Sequence, residues 1–205
     1  MLTAWLIMML GSAVSASPLP PDYRVVLDKD FGHQLALLNG QGRYREAIQV
    51  GGRIQRAVDR LARVSYEIGY AHYQLGELDA AVRNYDAALL REPGLSAARY
   101  DRGEIHLQAG RLTAAEEDFA VVVEQTPNHW AGHFRMAHLA GLSGDPEGFE
   151  EHLMLALQNG FELDLIVKDP DWRKFVRNPI LQSILRKIIV LYGDEDLLKW
   201  VGEKP

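Results

Sequence analysis

Tyr66–Pro93 reads YEIGYAHYQLGELDAAVRNYDAALLREP, and much of it returns 34 residues later. Gly69 falls on Gly103, His72 on His106, Gly76 on Gly110, Ala81 on Ala115, Tyr85 on Phe119 and Pro93 on Pro127. Upstream, Gly42 and Ala47 precede Gly76 and Ala81 by the same step, and downstream Gly144 follows Gly110. A fixed period of this size marks a repeat architecture. Four units result: 28–61, 62–95, 96–129 and 130–163.

Within a unit the apolar spacing is helical. In the second unit Val64, Ile68 and Ala71 form one stripe and Leu78, Val82, Tyr85 and Leu89 another. Gly76 stands between them, where a left-handed residue ends a helix. Pro93 cannot continue the second helix. Gly69 and Ala81 are small where two helices approach closely, and Tyr85 is large where a gap is filled. Each unit therefore reads as a helix–turn–helix hairpin. One hairpin cannot bury both of its faces, so hairpins must stack. The expected fold is all-α, a short right-handed α-solenoid closed by a C-terminal helical cap.

These residues resemble the tetratricopeptide repeat pattern, W-x2-L-G-x2-Y, then A-x3-F, then P. The second unit supplies Ile68-Gly69, Ala81, Tyr85 and Pro93, and the third supplies Gly103, Ala115, Phe119 and Pro127. Departures are visible. Ser65 and Arg99 stand at the Trp position, His72 and His106 at the Tyr position, and Arg102 at the Leu position. The first unit has Leu35 for the glycine, Gly51 for the aromatic and Asp59 for the proline. The fourth has Ala137 for the glycine and Phe149 for the alanine. Such divergence is expected of end repeats, which lack one neighbour. Gly51-Gly52 inside a helix costs about 1 kcal/mol per glycine against alanine, so the first unit is expected to be the least stable.

The resemblance implies that the first helix of each unit lines a concave face where a partner protein or peptide lies. Its ladders are Tyr66, Tyr100 and Phe134; Tyr70, Glu104 and His138; and Tyr73, Leu107 and Gly141, with Gln74 and Gln108 beside them. Tyr66, Tyr70 and Tyr73 share a helix face by spacing. An aromatic with a polar tip suits a recognition surface. The expected partner-binding set is Tyr66, Tyr70, Tyr73, Gln74, Tyr100, Glu104, Leu107, Gln108, Phe134 and His138. Tyr66 and Tyr100 fit packing between repeats equally well, in place of the missing Trp. No packing position of the family claims Tyr70 and Tyr73. A carboxylate clamp of Lys, Asn and Arg, found in one branch, has no counterpart here.

Residues 1–10 are almost wholly apolar, AVSA follows, and Pro18, Pro20 and Pro21 come next. Residues 1–16 are expected to be a secretory signal peptide cleaved after Ala16 and residues 17–27 a linker, although no basic residue precedes the apolar run. An uncleaved anchor is the alternative, but 16 residues fall short of the ~20 that span a bilayer. The expected location is therefore secreted or periplasmic. The 205 residues include 22 basic and 28 acidic ones and no cysteine. A net charge of −6 argues against a nucleic-acid footprint. Without cysteine there are no disulfides, thiol nucleophiles or Cys-based zinc sites.

The last segment, 164–205, loses the period and is expected to cap the last repeat. Asn178-Pro179 reads as an N-cap with proline at the first helical position. Ile180, Leu181, Ile184, Leu185, Ile188 and Ile189 then recur at helical spacing, Gly193 stops that helix, and Asp194 caps a short last one. Trp172, Phe175 and Trp200 are its apolar anchors.

Histidines invite a metal hypothesis at His129, His133 and His138, but HWAGH lacks the glutamate of the H-E-x-x-H motif. No phosphate loop, nucleophile elbow or dinucleotide fingerprint occurs. Glu116-Glu117-Asp118 and Glu150-Glu151 read as a solvated outer face. The expectation is a non-enzymatic interaction module, an adaptor or assembly factor without cofactor or metal. The alternatives are a self-associating scaffold, and further off a histidine-based metal-binding or catalytic protein.

Overall fold

A computed structural model of the chain describes residues 21–58, 61–169 and 171–202. The expected signal peptide, 1–16, lies outside them. Among the described residues all regular structure is helical, in twelve helices. These are α1 (Pro21–Gly40), α2 (Tyr44–Ala57), α3 (Ala62–Gln74), α4 (Leu78–Leu89), α5 (Ser96–Gln108), α6 (Leu112–Gln125), α7 (Trp130–Ser143), α8 (Pro146–Gln158), α9 (Leu165–Lys168), α10 (Trp172–Val176), α11 (Pro179–Tyr192) and α12 (Glu195–Gly202). The expected linker gives way to helix at Pro21, since α1 takes in residues 21–27.

The 34-residue period is written in the backbone. Gly42, Gly76, Gly110 and Gly144 turn the chain between paired helices at φ of +71°, +75°, +70° and +75°. A side chain at such angles is strained, which is why glycine returns at this step. His72 and His106 mark a second recurrence. Each reaches five residues forward across its turn, His72 Nδ1 to Glu77 Oε2 and His106 Nδ1 to Arg111 Nε.

The chain divides into two compact units, Met1–Ile105 and His106–Pro205. In the first, α1 packs on α2 and α3, α2 on α3, and α3 on α4. Asp28 on α1 caps α3: its carboxylate accepts from the backbone N–H of Arg63 at 2.9 Å and Val64 at 3.2 Å. That satisfies donors which the residue before the helix, Leu61, leaves open.

Gly51 has a packing role in the first unit. A methyl there would come within 2.6 Å of Ile68 Cγ1 and 3.1 Å of Leu35 Cδ1. In the next pair Gly69 lies against Tyr85, and a methyl on it would reach the ring at 2.8 Å. Large and small have changed places: Leu35 with Gly51 in one pair, Gly69 with Tyr85 in the next. Gly51 is a packing residue, set against the buried Leu35 and Ile68.

In the second unit α6 packs on α7, α7 on α8, and α8 on α11, with α10 and α12 also against α11. Asn178 caps α11 as its sequence requires, Oδ1 accepting from Ile180 and Leu181 N–H. Asp194 Oδ1 does the same for Leu197 at the start of α12. Trp172 is the centre of this core, with no exposed surface. The acidic run on α6 is divided. Glu116 and Glu117 are exposed, whereas Asp118 is 2% exposed and belongs to the inside, so that part of the outer-face reading is wrong.

Candidate functional site

Three first helices build one wall of the N-terminal unit. Between α1, α3 and the start of α5 lies a cleft of about 710 Å³. Lys29, Asp30, His33 and Gln34 enter it from α1, Arg63, Tyr66 and Glu67 from α3, and Leu95 and Ala97 from the approach to α5 and its first turn. Gly32 lets α1 and α3 close on each other, since a methyl there would lie 2.8 Å from Arg63 Cβ. The helical repeat places Arg63, Tyr66, Glu67 and Tyr70 along one side of α3.

Behind the cleft, Tyr66 and Tyr85 converge on Asp101. Their rings are 5.8 Å apart, and Tyr85 donates its hydroxyl to Asp101 Oδ2 at 3.3 Å. Tyr66 donates to the same carboxylate. Burial raises the Asp101 carboxyl to about 6, against the pull of the two hydroxyls. Burial also raises both phenols, and the Asp101 charge adds to it. Glu67 is held by Asn39, whose Nδ2 donates to Oε2 at 2.8 Å and to the backbone carbonyl at 3.0 Å. Burial pushes the Glu67 carboxyl up, the Asn39 bond opposes this, and Asp101 adds to the rise. Tyr70 is raised by burial and by the nearby Tyr44, Asp101, Glu67 and Tyr73.

The ten expected residues part company. Tyr66 lines the cleft and also packs on Tyr85. Tyr73 packs against the buried cluster of Ala81, Tyr85 and Ile105. Tyr70, Tyr100, Glu104 and Leu107 are half-buried, and Gln74 and Gln108 are exposed. Phe134 and His138 require correction, because they lie in the core of the second unit. Phe134 is 7% exposed and stacks on Trp172, centroids 5.0 Å apart and planes within 9°. His138 is 2% exposed beside Trp172 and Phe175. Gly141, on the third ladder, sits under the Phe175 ring. The C-terminal segment covers the residues that the repeat pattern assigns to a ligand.

Asp101, Glu67 and Asn39 were missed. A signal was present: Glu67 and Asp101 stand 34 apart, each beside a ladder aromatic, Tyr66 and Tyr100. Asn39 carries no such mark, since only the packing of α1 on α3 brings it to Glu67.

The histidines go to separate neighbours. His129 caps α7 by accepting from Ala131 N–H. His133 meets His152 through their Nδ1 atoms at 3.3 Å and reaches the Pro127 carbonyl through Nε2 at 3.0 Å. His138, lowered to about 4 by burial and by Arg135, finds no hydrogen-bond partner among the described residues. Among the described residues no three His, Asp or Glu side chains come together as a metal site. No described helix is long and apolar enough to cross a membrane.

No curated protein matches the chain. A family model described as Tetratricopeptide repeat matches residues 66–129. The match takes in α3 to α6 and leaves out the flanking pairs. Those are the pairs in which Leu35 and Gly51 exchange sizes and Phe149 replaces a small residue. Repeats of this type mediate protein–protein interaction and are typically non-catalytic. The matched stretch is also the one whose period sets the helix pairs, so residues 66–129 are tetratricopeptide repeats.

Proposed function

We propose that the protein is a non-catalytic adaptor or assembly factor that holds a peptide segment of a partner protein in the cleft between α1, α3 and α5. The observation that carries this is the cleft itself, about 710 Å³, with charged, aromatic and apolar side chains from three successive first helices on its walls. Pockets of this size with a few fixed polar groups bind ligands, and the family's repeats act by holding proteins. Secretion or a periplasmic location is proposed with it, supported by the apolar run and AVSA at the N-terminus.

A photoreactive amino acid at His33, an exposed residue of the cleft wall, tests the reading. Crosslinks to a partner should form there and not from the same group at Glu117, which is exposed on the second helix α6. Equal labelling from both positions would remove the cleft as the site. A second reading, self-association through α1, is favoured by the exposed Tyr23, Val25, Val26 and Leu37 on that helix. Light scattering that shows a monomer at all concentrations would end it.

A further inference from the structure

We propose that the turn between α6 and α7 is an acid-released latch, held shut by His129, His133 and His152 as neutral imidazoles and opened when these rings take up protons.

The latch is built on one backbone oxygen. The Pro127 carbonyl lies 3.0 Å from His133 Nε2 and accepts from Asn159 Nδ2 at 3.3 Å. A carbonyl only accepts, so His133 carries its proton on Nε2 and, when neutral, leaves Nδ1 bare. That bare nitrogen is 3.3 Å from His152 Nδ1, which therefore donates to it. The tautomers of both rings are thus set by Pro127. Through them the turn is tied to α8, and Asn159, just past the end of α8, ties it a second time.

His129 makes a separate demand of the same kind. Its Nδ1 accepts from Ala131 N–H at 3.2 Å and caps α7, and its ring stacks on Trp130. A proton on that atom turns the acceptor into a donor and sets N–H against N–H. Both imidazoles at the start of α7 therefore work only with a bare Nδ1. Glu124 to His129 are exposed, so protons reach the turn.

The His133–His152 pair accommodates one proton and not two. The first enters at His152 Nε2, on a half-buried ring, and leaves the bond between the rings intact. The second goes to His133 Nδ1, on a side chain that is 4% exposed. There it removes the acceptor and places two cations side by side away from water. Burial and the charge of His133 lower His152, against Glu151 and Asp145, which favour its charged form. Packed on α7, α6 carries Glu116, Glu117, Asp118 and Glu124, and α11 meets α8 through the Lys187–Glu150 pair. A histidine lowered in the folded state contributes fully above its ordinary value of 6.5, and that contribution is lost as pH falls through the lowered one.

The test is nuclear magnetic resonance of the full chain with labelled histidines and backbone, titrated from about pH 7.5 to about 4.5. At the neutral end His133 should be the Nε2–H tautomer and His152 the Nδ1–H tautomer. On acidification His152 should charge before His133. The later step should shift the backbone signals of residues 126–134 and make their amides exchange about tenfold faster, after correction for the intrinsic pH dependence. His129→Asn combined with His152→Gln keeps a cap acceptor and a side-chain partner that do not titrate, and should abolish that acceleration. Equal acceleration in this variant, or charging of both rings with the turn amides unchanged, would overturn the inference. So would a proton on His133 Nδ1 at neutral pH, a result read from the unaltered chain whether or not the variant folds.

Discussion

In the N-terminal unit the groups with displaced proton affinity are Glu67, Asp101 and three tyrosines, all pushed up. In the C-terminal unit they are His138, His152 and Asp171, all pushed down. Burial is the leading cause in each case except Asp171, where the hydrogen bond from Lys174 comes first. The contrast follows from what each unit buries. One covers acids with tyrosines near a cleft. The other folds its C-terminal segment over histidines and stacked aromatics. A buried acid keeps its proton and a buried base sheds it, so the same physics gives the two units opposite responses to acid. The repeat pattern alone does not show this, because it treats α3, α5 and α7 as equivalent.

The largest break in the comparison should come from Trp172→Ala. The side chain touches Phe134, Phe149 and Phe175 and has no exposed surface. Its loss should cost about 4 kcal/mol. Hydrogen exchange should show the loss across α7–α12 and leave α1–α4 protected; equal loss in both units would mean that they unfold as one.

Acid should next separate the units. His138 titrates at about 4 when folded against 6.5 in the free side chain. Its contribution is therefore complete above pH 6.5 and is lost as pH falls through about 4, a difference of about 3 kcal/mol. Arg135 and Lys174 oppose the imidazolium, and Asp169 and Asp171 favour it, so the window reflects all four. Asp101 runs the other way. Its stabilising contribution is complete below 3.8 and is lost as pH rises through about 6. From pH 7 to 4.5, exchange protection should fall in α7–α12 relative to α3–α5, and His138→Phe should reduce the fall. Protection that falls equally in both units would defeat the contrast.

Gly51→Ala should cost about 2 kcal/mol, because Ile68 and Leu35 already fill the space. Urea denaturation of the variant would measure it. A gain in stability would show that helix propensity outweighs packing there. The smallest effect is Asp28→Ala, about 1 kcal/mol for a lost cap on α3, with faster exchange at the Arg63 and Val64 amides.

Much of the fold was readable in advance for a definite reason. A turn that needs positive φ admits little besides glycine, so Gly76 and Gly110 announce their helix ends. Asn178-Pro179 likewise has one favourable use, opening a helix. The candidate site was less readable. Tyr66 was found from its ladder, but its packing on Tyr85 was not separable from a surface role. Phe134 and His138 were assigned outward because the repeat counts positions and cannot count what a distant segment covers.

The sequence by itself determined that the chain is made of paired helices, where the pairs turn, and which residues are small at close approaches. Those are local demands of backbone conformation and helical spacing, repeated at each step of 34. Only the tertiary structure decided that Leu35 and Gly51 exchange sizes, that Asn39 holds Glu67, that two phenols hold Asp101, and that Trp172 covers Phe134. Each of these joins helices through side-chain shape, burial and charge, quantities that depend on a neighbour across the fold and not on a neighbour along the chain.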